Sequence, residues 1–457
     1  MKIKSINPSK NYEVISEVEV SSKQEVENKV ELAKDAQVGW QDIGLEKRIA
    51  ILNKVFLKFE SGKEAWAKLM AVEMGMPIKE AREDVEYSIA FLDWYVSHAR
   101  KYLSPEITFE DEQEVHTVYR EPFGVAAVIV PWNFPLSNFV WQCGQNLAAG
   151  NSVVFKHSEE VPLFGQKLEE FFNDSILPKG VFNVVHGNGE VGDTLVHQDI
   201  NLICFTGSTK VGKYLYKVAA ENFIPVRMEL GGSAPGIIFE DADLEKVIDT
   251  VVFNRFMNCG QVCDGLKRLL VHESKVEEVS SMIVDRVKKM KVGDALEEDT
   301  DLGPLVAKRQ LDLLEEQVAD DVRRGANILF GGEKPEGLKG AYYLPTIIDN
   351  VDKEMRIWKE EVFGPVLPVV SFSSVEQAIE LANDTRYGLG GYIFTENNDL
   401  FDKVSKQLRT GMVSQNNVSY IRECNPFGGY KDSGIGREHG KYGFADVTQV
   451  KVVSKEK

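Results

Sequence analysis

The stretch FGVAAVIVPWNFP, residues 123–135, decides the fold class, because it joins an apolar β-branched run to a rigid turn that opens a new segment. Short runs of this type are typical of strands buried in a parallel sheet. Three similar runs follow, with amphipathic segments between them, and this alternation predicts a doubly wound α/β sheet. We predict strands at 125–130, 152–155, 181–185 and 202–205, and the clearest helices at 163–172 and 211–220.

The sequence on either side of this unit has two different textures. Upstream, residues 23–100 carry apolar side chains at helical spacing and predict packing helices. Downstream, a second α/β series begins near Ser233. Its predicted strands are 236–239, 269–271, 328–330 and 367–371, and its predicted helices are 276–291 and 310–324.

Composition excludes several classes of partner. The chain has 457 residues, a length that predicts two or three domains, and 43% of them are hydrophobic. It carries 71 Asp+Glu against 53 Lys+Arg, a formal net charge of −18. Nucleic acids and anionic membranes are bound through concentrated Lys and Arg, so we expect neither partner.

The cysteines indicate a reducing compartment. Five of them in a large chain do not suggest a disulfide framework, and no second Cys/His pair at zinc-site spacing accompanies Cys259 and Cys263. The N-terminus has no apolar signal segment, and prolines and polar residues interrupt the most apolar stretch, 123–150. We therefore expect a cytoplasmic protein with no metal and no membrane span.

The segment FMNCGQVC, residues 256–263, contains the candidate nucleophile. A reactive cysteine needs partial exposure and nearby backbone N–H groups, and Gly260 allows the tight turn that supplies them. Judged alone, a free cysteine is more often an inert core residue.

Two other segments place single polar side chains in rigid surroundings. MELGG at 228–232 holds Glu229, a candidate base whose alternative interpretation is a solvent-facing strand end. PWNFP at 131–135 holds Asn133 between two prolines; it is either an oxyanion donor or part of a simple turn.

Two glycine-containing turns are candidates for phosphate binding. FTGSTKVG at 205–212 ends a predicted strand and opens a helix, where free N–H groups suit an anion. GNGEVG at 187–192 matches the literal dinucleotide fingerprint, but Glu190 stands where phosphate would lie.

Taken together, these segments resemble the aldehyde dehydrogenase superfamily from about residue 7 to the C-terminus. The matching segments occur in the family's order: FGV at 123–125, PWNFP at 131–135, FTGS at 205–208, ELGG at 229–232, GQVC at 260–263, EEVFGP at 360–365 and PFGG at 426–429.

The resemblance implies a mechanism for three residues. Cys263 corresponds to the nucleophile, Asn133 with the Cys263 N–H to the oxyanion hole, and Glu229 to the base that activates the deacylating water. The implied reaction is attack on an aldehyde, hydride transfer to NAD and hydrolysis of a thioester. A non-catalytic relative should have lost one of these residues, and CoA-acylating relatives generally lack the glutamate.

The resemblance also implies an NAD site, with NADP as a possible cofactor. Lys156 and Glu159 correspond to positions facing the adenosine ribose, Ser208 to a pyrophosphate contact, and Glu361 and Phe363 to the nicotinamide end. The remaining implied cofactor contacts are Pro131, Trp132, Ser158, Gly189, Phe205, Thr206, Gly207, Glu229, Leu230 and Gly231.

Three residues depart from the family pattern. His157 stands where many members carry proline, and Gln142 where several carry lysine. Asp264 directly follows the nucleophile; a carboxylate there opposes thiolate formation if it points inward, and we expect it to point outward.

The implied substrate tunnel includes Trp141, Met257 and Arg422. Related succinate-semialdehyde enzymes commonly carry an arginine where Trp141 stands, and some carry another where Met257 stands, so an uncharged aliphatic or aromatic aldehyde is favoured. Arg422 keeps succinate semialdehyde open as the alternative, because it offers a cation in the loop before PFGG.

The resemblance implies three parts and a homodimer or homotetramer. We expect an NAD-binding domain at 1–111 and 132–231, a catalytic domain at 232–425, and an oligomerisation arm at 112–131 and 426–457. The arm should form a small sheet from 112–121 and 447–454.

Overall fold

The computed structural model describes all residues, 1–457. The strands, in chain order, are β1 (Lys2–Asn7), β2 (Glu13–Glu19), β3 (Glu106–Glu110), β4 (Glu114–Pro122), β5 (Val125–Ile129), β6 (Ser152–Lys156), β7 (Phe182–Val185), β8 (Leu202–Thr206), β9 (Val226–Glu229), β10 (Ala234–Ile238), β11 (Leu266–His272), β12 (Asn327–Phe330), β13 (Thr346–Asp349), β14 (Val366–Phe372), β15 (Tyr392–Phe394), β16 (Ser414–Gln415), β17 (Gly434–Ile435) and β18 (Thr448–Glu456).

The helices precede and alternate with these strands. They are α1 (Lys23–Asp42), α2 (Leu45–Ser61), α3 (Lys63–Met74), α4 (Ile78–Leu103), α5 (Pro135–Ala149), α6 (Pro162–Asn173), α7 (Gly189–Val196), α8 (Thr209–Glu221), α9 (Leu244–Phe256), α10 (Val276–Val287), α11 (Lys308–Arg323), α12 (Arg356–Lys359), α13 (Val375–Asn383), α14 (Asn398–Ser405) and α15 (Gly440–Asp446), with short 3₁₀ turns at Met257–Gly260, Glu273–Lys275 and Lys431–Ser433.

A six-stranded sheet, ordered β17-β9-β8-β5-β6-β7, forms the first α/β layer system. All its pairings are parallel except the short edge pair of β17 with β9. Alternate residues of β5 enter different cores: Ala126 and Val128 face α2–α6, whereas Ala127 and Ile129 face α1, α7 and α8. Helices cover both faces, so the predicted doubly wound fold is confirmed.

The second α/β system is a seven-stranded sheet ordered β12-β13-β14-β11-β10-β15-β16. Its inner pairings are parallel, and β12 joins antiparallel at the edge. A separate core of 45 buried residues packs around this sheet.

The third sheet is small and antiparallel, ordered β18-β4-β3. The pairing of β18 with β4 runs from Thr448↔Pro122 to Glu456↔Glu114, so it joins segments more than 300 residues apart.

Two details of the expected arm need correction. Val125–Ile129, placed within the 112–131 arm, is an inner strand of the six-stranded sheet, because its side chains are buried on both faces. Conversely, Glu106–Glu110, placed in the NAD-binding part, pairs with β4 in the small sheet. None of the helices combines the length and apolar composition that a bilayer crossing needs.

Candidate active site

A cavity of about 740 Å³ lies where the two large sheets meet. The carboxyl ends of β8 and β9 supply one wall, and the turn before β11 supplies another. Ligands of open α/β folds bind at this edge of the sheet, so the cavity is the candidate active site.

Cys263 lines the cavity and is half-buried, whereas Cys259 is buried in the second core. The chain reaches Cys263 through a strained turn in which Asn258, Cys259 and Gly260 all have positive φ, at 49°, 56° and 70°. A side chain at Gly260 would lie 2.4 Å from the Gly364 carbonyl oxygen, so glycine is required there. The turn therefore presents one cysteine to the cavity and buries the other.

Asn133 holds this turn against the PWNFP segment. Its Nδ2 donates to the Gln261 carbonyl at 2.9 Å, and the Asn258 amide donates back to the Asn133 carbonyl at 2.6 Å. The second N–H of the Asn133 amide remains available, and the Cys263 backbone N–H makes no hydrogen bond within the protein. Two donors are thus available beside the thiol.

The thiol of Cys263 lies in a region of negative charge. Burial raises its pKa, and the neighbouring carboxyl of Asp264 raises it further, while Lys267 opposes the shift. Asp264 Oδ1 is 3.9 Å from Cys263 Sγ. Thiolate formation here is unfavourable without a further stabilising charge.

The expectation that Asp264 points outward is wrong. The residue is 5% exposed and lines the cavity. Its Oδ2 accepts a hydrogen bond from the Tyr420 hydroxyl at 2.9 Å, and Tyr420 in turn contacts the Tyr392 hydroxyl at 2.9 Å. Tyr392 donates to the backbone carbonyl of Asp264 at 2.9 Å. Because the Tyr420 hydroxyl satisfies one oxygen of the carboxyl, the side chain can remain inside.

Glu229 is buried at the end of β9, so the interpretation as a solvent-facing strand end is wrong. Neither of its carboxylate oxygens has a hydrogen-bond partner. Burial raises its pKa, and repulsion from Glu438 adds to that effect. A side chain at Gly428 would lie 2.7 Å from Glu229 Oε1, so the glycine makes room for the carboxylate.

Glu229 does not line the cavity but lies behind its wall, and a network of buried polar side chains lies there as well. Gln142, the departure from lysine, donates to Glu438 and accepts from Arg227 Nη2 at 2.8 Å. Arg227 is fully buried two residues before Glu229 and supplies the positive charge of this network.

Nine predicted cofactor residues line the cavity. They are Pro131, Trp132, Thr206, Gly207, Ser208, Leu230, Gly231, Glu361 and Phe363. The Ser208 hydroxyl caps α8, and the N–H groups of Thr209 and Lys210 have no partner within the protein. Free N–H groups at the start of a 13-residue helix fit the pyrophosphate of NAD.

Lys267, which the sequence interpretation missed, fixes the position of Glu361. Its ammonium pairs with the Glu361 carboxylate and donates to the Gly232 and Cys263 carbonyls at 3.0 and 3.1 Å. It also lies 5.0 Å from the centroid of the Phe363 ring. Two adjacent charged residues, Lys267 and Arg268, at the start of an apolar run were the available signal.

The remaining predicted cofactor residues lie outside the cavity lining, at or beside the carboxyl ends of β6–β9. Lys156 ends β6, its pKa lowered to about 8 by burial although Glu159 partly opposes the shift. Its Nζ lies 3.8 Å from Glu159 Oε2. Ser158 lies in the loop between these two residues, Gly189 begins α7, the buried Phe205 lies in β8, and Glu229 ends β9.

His157 stands in this loop where many family members carry proline, and its contacts show what the histidine does there. Its buried ring contacts His186 Nδ1 at 2.9 Å and the Ser158 carbonyl at 2.8 Å. His186 in turn contacts Glu169 at 2.8 Å. The His157 side chain therefore anchors the loop to the protein interior.

The three predicted tunnel residues line the same cavity. Trp141 packs on Phe427 with ring centroids 5.1 Å apart, and Met257 belongs to the strained turn. Arg422 is exposed and forms no salt bridge. Tyr87, Tyr392 and Tyr420 complete this end, and no sequence motif pointed to them.

A Rossmann-like sheet joined to a second α/β unit, with a cavity cysteine between them, defines a dehydrogenase-like architecture. The family model described as "Aldehyde dehydrogenase family" matches residues 1–453. The chain therefore belongs to the aldehyde dehydrogenase family and is an oxidoreductase acting on aldehydes. The family's general reaction is NAD(P)-dependent aldehyde oxidation.

Individual relatives agree in architecture and differ in substrate. A putative aldehyde dehydrogenase of Staphylococcus saprophyticus is 37% identical, covering 98% of this chain and 94% of the relative. The mitochondrial succinate-semialdehyde dehydrogenase of Oryza sativa is 37% identical, covering 96% and 84%. Betaine aldehyde dehydrogenase of Staphylococcus aureus, solved with NAD+, superposes with a TM-score of 0.95 at 34% identity, covering 99% and 91%.

Proposed function

We propose that this protein oxidises an aldehyde to its carboxylic acid, with NAD as acceptor, through a thioester on Cys263. This proposal rests mainly on one observation: Cys263 is the only cysteine lining the cavity, its own N–H is free, and Asn133, which also lines the cavity, is bonded to the carbonyl two residues before it. A nucleophile next to prearranged donors is the arrangement that acyl chemistry requires.

In the first step the Cys263 thiol gives its proton to water, and the resulting thiolate attacks the aldehyde carbon. A carbon–sulfur bond forms, and the carbonyl π electrons move to oxygen. The resulting oxyanion accepts hydrogen bonds from Asn133 Nδ2 and from the Cys263 backbone N–H. Because Gln261 already holds the Asn133 amide, this donor needs no reorganisation during the step.

The cofactor end of the cavity holds the acceptor. NAD bound there would supply the acceptor for the hydride, and loss of that hydride from the aldehyde carbon leaves a thioester on Cys263. Ser208 and the first N–H groups of α8 would hold its pyrophosphate, while Glu361, fixed by Lys267, would accept from a ribose hydroxyl. Lys156 and Glu159 would face the other ribose, where Glu159 would disfavour a 2′-phosphate.

Glu229 then activates water for hydrolysis of the thioester. Its carboxylate takes a proton from water, the oxygen attacks the acyl carbon, and the Cys263 thiolate leaves. Since burial and Glu438 raise the pKa of Glu229, the group binds a proton more strongly than an exposed glutamate does. Glu229 lies behind the wall, so this step includes a turn of its side chain from Gly428 toward the thioester.

Succinate semialdehyde remains the second candidate substrate for a specific reason. Arg422 lines the cavity and is free of any ion pair. Trp141 and Met257, in contrast, offer no charge to a substrate carboxylate.

We also infer that the small sheet is a contact between subunits of a homodimer or homotetramer. One face of this sheet exposes Val450, Val452 and Phe109, at 64%, 62% and 47%. Exposed apolar patches of this kind mark contact surfaces. We propose the same three parts as before: an NAD-binding domain, a catalytic domain and an arm. Val125–Ile129 now belongs to the NAD-binding domain, and Glu106–Glu110 belongs to the arm.

The reaction is tested by product analysis. Purified protein is incubated with NAD and butanal, with and without CoA, and products are measured by mass spectrometry. We expect one butyrate for each NADH, with no dependence on CoA. Formation of butyryl-CoA, or NADH without butyrate, would overturn the proposal.

A further inference from the structure

We infer that the aldehyde end of the cavity selects a cationic substrate: an aldehyde with an ammonium group two or three atoms from the carbonyl carbon, facing Asp264. This inference rests on the proposed function and deepens it.

The first support is the distance between Asp264 and the nucleophile. Asp264 Oδ1 lies 3.9 Å from Cys263 Sγ. Once the carbonyl carbon is bonded to sulfur, a substituent two or three atoms away is within ion-pair reach of that carboxylate. The Tyr420 hydroxyl occupies Asp264 Oδ2, whereas Oδ1 accepts only from the Cys263 thiol, a bond that is lost once the sulfur is bonded to the substrate.

The second support is the charge of the cavity wall. Its ionisable acidic residues are Glu80, Glu83, Asp84, Asp264 and Glu361, and Arg422 is its one basic residue. Arg422 is exposed, so water screens its charge, whereas Asp264 and Asp84 are more than nine-tenths buried. The buried ionisable groups that a substrate meets on this wall are therefore carboxyls.

The third support is an unpaired oxygen. Asp84 Oδ2 has no hydrogen-bond partner, although Oδ1 accepts from the Ser137 hydroxyl. Burial raises the pKa of Asp84 to about 7 and raises that of Asp264 as well. A cation bound nearby would favour the charged form of both groups.

The fourth support is the aromatic lining. Tyr392 and Tyr420 lie with ring centroids 5.7 Å apart beside Asp264. The ring centroids of Tyr87 and Trp141 lie 6.5 Å apart. Burial raises the pKa of Tyr87, and the charge of the Asp264 carboxyl raises it further. Aromatic faces around a carboxylate suit an ammonium group, because each ring attracts a cation electrostatically.

The test compares three substrates of matched size and different charge. Betaine aldehyde carries a trimethylammonium group, 3,3-dimethylbutanal is its uncharged isostere, and succinate semialdehyde carries a carboxylate. We expect kcat/KM for betaine aldehyde to exceed that for the isostere by about 10-fold or more, and that for succinate semialdehyde to be lowest.

The variant Asp264→Asn keeps size and hydrogen bonding but removes the charge. The quantity to measure is kcat/KM for betaine aldehyde divided by kcat/KM for 3,3-dimethylbutanal. The variant should lower this ratio by about 10-fold. The matched control is Arg422→Gln, which removes the one basic side chain of the cavity wall and should not lower that ratio.

Three results would overturn the inference. One is a wild-type preference for the isostere or for succinate semialdehyde. Another is an equal loss of all three activities in Asp264→Asn, which would make Asp264 only an anchor for Tyr420. If no aldehyde yields NADH, the proposed function fails and the inference fails with it.

A binding measurement gives a readout independent of turnover. Choline and its uncharged isostere 3,3-dimethylbutan-1-ol are titrated calorimetrically into the inactive Cys263→Ser protein. Choline should bind about 10-fold more tightly, and Asp264→Asn in the same background should remove the difference. Equal affinities in the Cys263→Ser protein would contradict a cation site.

Discussion

The two ends of the cavity are built in different ways. The cofactor end consists of strand ends, a helix start and glycines, such as Ser208 at the start of α8 and Gly231 after β9. The aldehyde end consists of side chains from α4, α5 and loops, such as Tyr87, Trp141 and Tyr420. Backbone geometry therefore defines one end and side-chain identity the other. A common cofactor and variable substrates follow from this difference.

Cys263 stands at the boundary between the two ends, so its substitution should have the largest effect. We expect Cys263→Ser to lower kcat by about 10⁴-fold or more, because the nucleophile is lost while the walls remain. NAD binding, measured by fluorescence quenching, should be kept.

Cys259→Ala is the matched control for this substitution. Cys259 is buried and does not line the cavity, so activity should change only within a few-fold, about 1 kcal/mol. An inactive Cys259→Ala together with an active Cys263→Ser would show that the nucleophile is misassigned.

Asn133 gives the next largest effect, because it serves the reacting oxygen. Asn133→Ala should lower kcat by about 10²–10³-fold. In steady-state kinetics with butanal, most of the loss should appear in kcat and little of it in KM. A variant with unchanged kcat and a raised KM would show that Asn133 only binds the ground state.

Glu159 tests whether the cofactor end acts independently of the aldehyde end. We expect the wild-type protein to prefer NAD to NADP by about 10-fold, and Glu159→Gln to remove most of that preference. The ratio of kcat/KM with the two cofactors is the measurement. Loss of cationic-substrate preference in the same variant would mean that the two ends are not separate.

Asp264 should give the smallest effect, a shift in pH dependence. Its negative charge opposes thiolate formation, so Asp264→Asn should lower the pKa of Cys263 and move the alkylation curve to lower pH by about one unit or less. Iodoacetamide labelling of Cys263 across a pH series measures this. A shift to higher pH would contradict the assigned sign.

The same contrast explains what the sequence predicts. The strand–helix alternation and the segments around Asn133, Ser208, Glu229 and Cys263 depend on local chemistry, so the doubly wound fold was predictable. The strand Val125–Ile129 was predicted in the doubly wound sheet, and only the domain boundary drawn after residue 131 assigned it to the arm.

Long-range packing was not predictable. Asp264 turns inward because Tyr420, 156 residues away, donates to it. Lys267 reaches Glu361 across 94 residues, and Arg227 meets Gln142 across 85. No local spacing encodes such pairs, so the departures at Gln142 and Asp264 were visible while their consequences were not.

The central claim is a thioester on Cys263 that Glu229 helps to hydrolyse. Intact-mass analysis of Glu229→Gln, mixed with NAD and excess butanal, tests it most directly. We predict a butyryl adduct that forms only when NAD is present, together with a burst of NADH. Peptide mapping of the same sample should place the adduct on the peptide that contains Cys263. Absence of any adduct under these conditions, with turnover still occurring, would contradict the account.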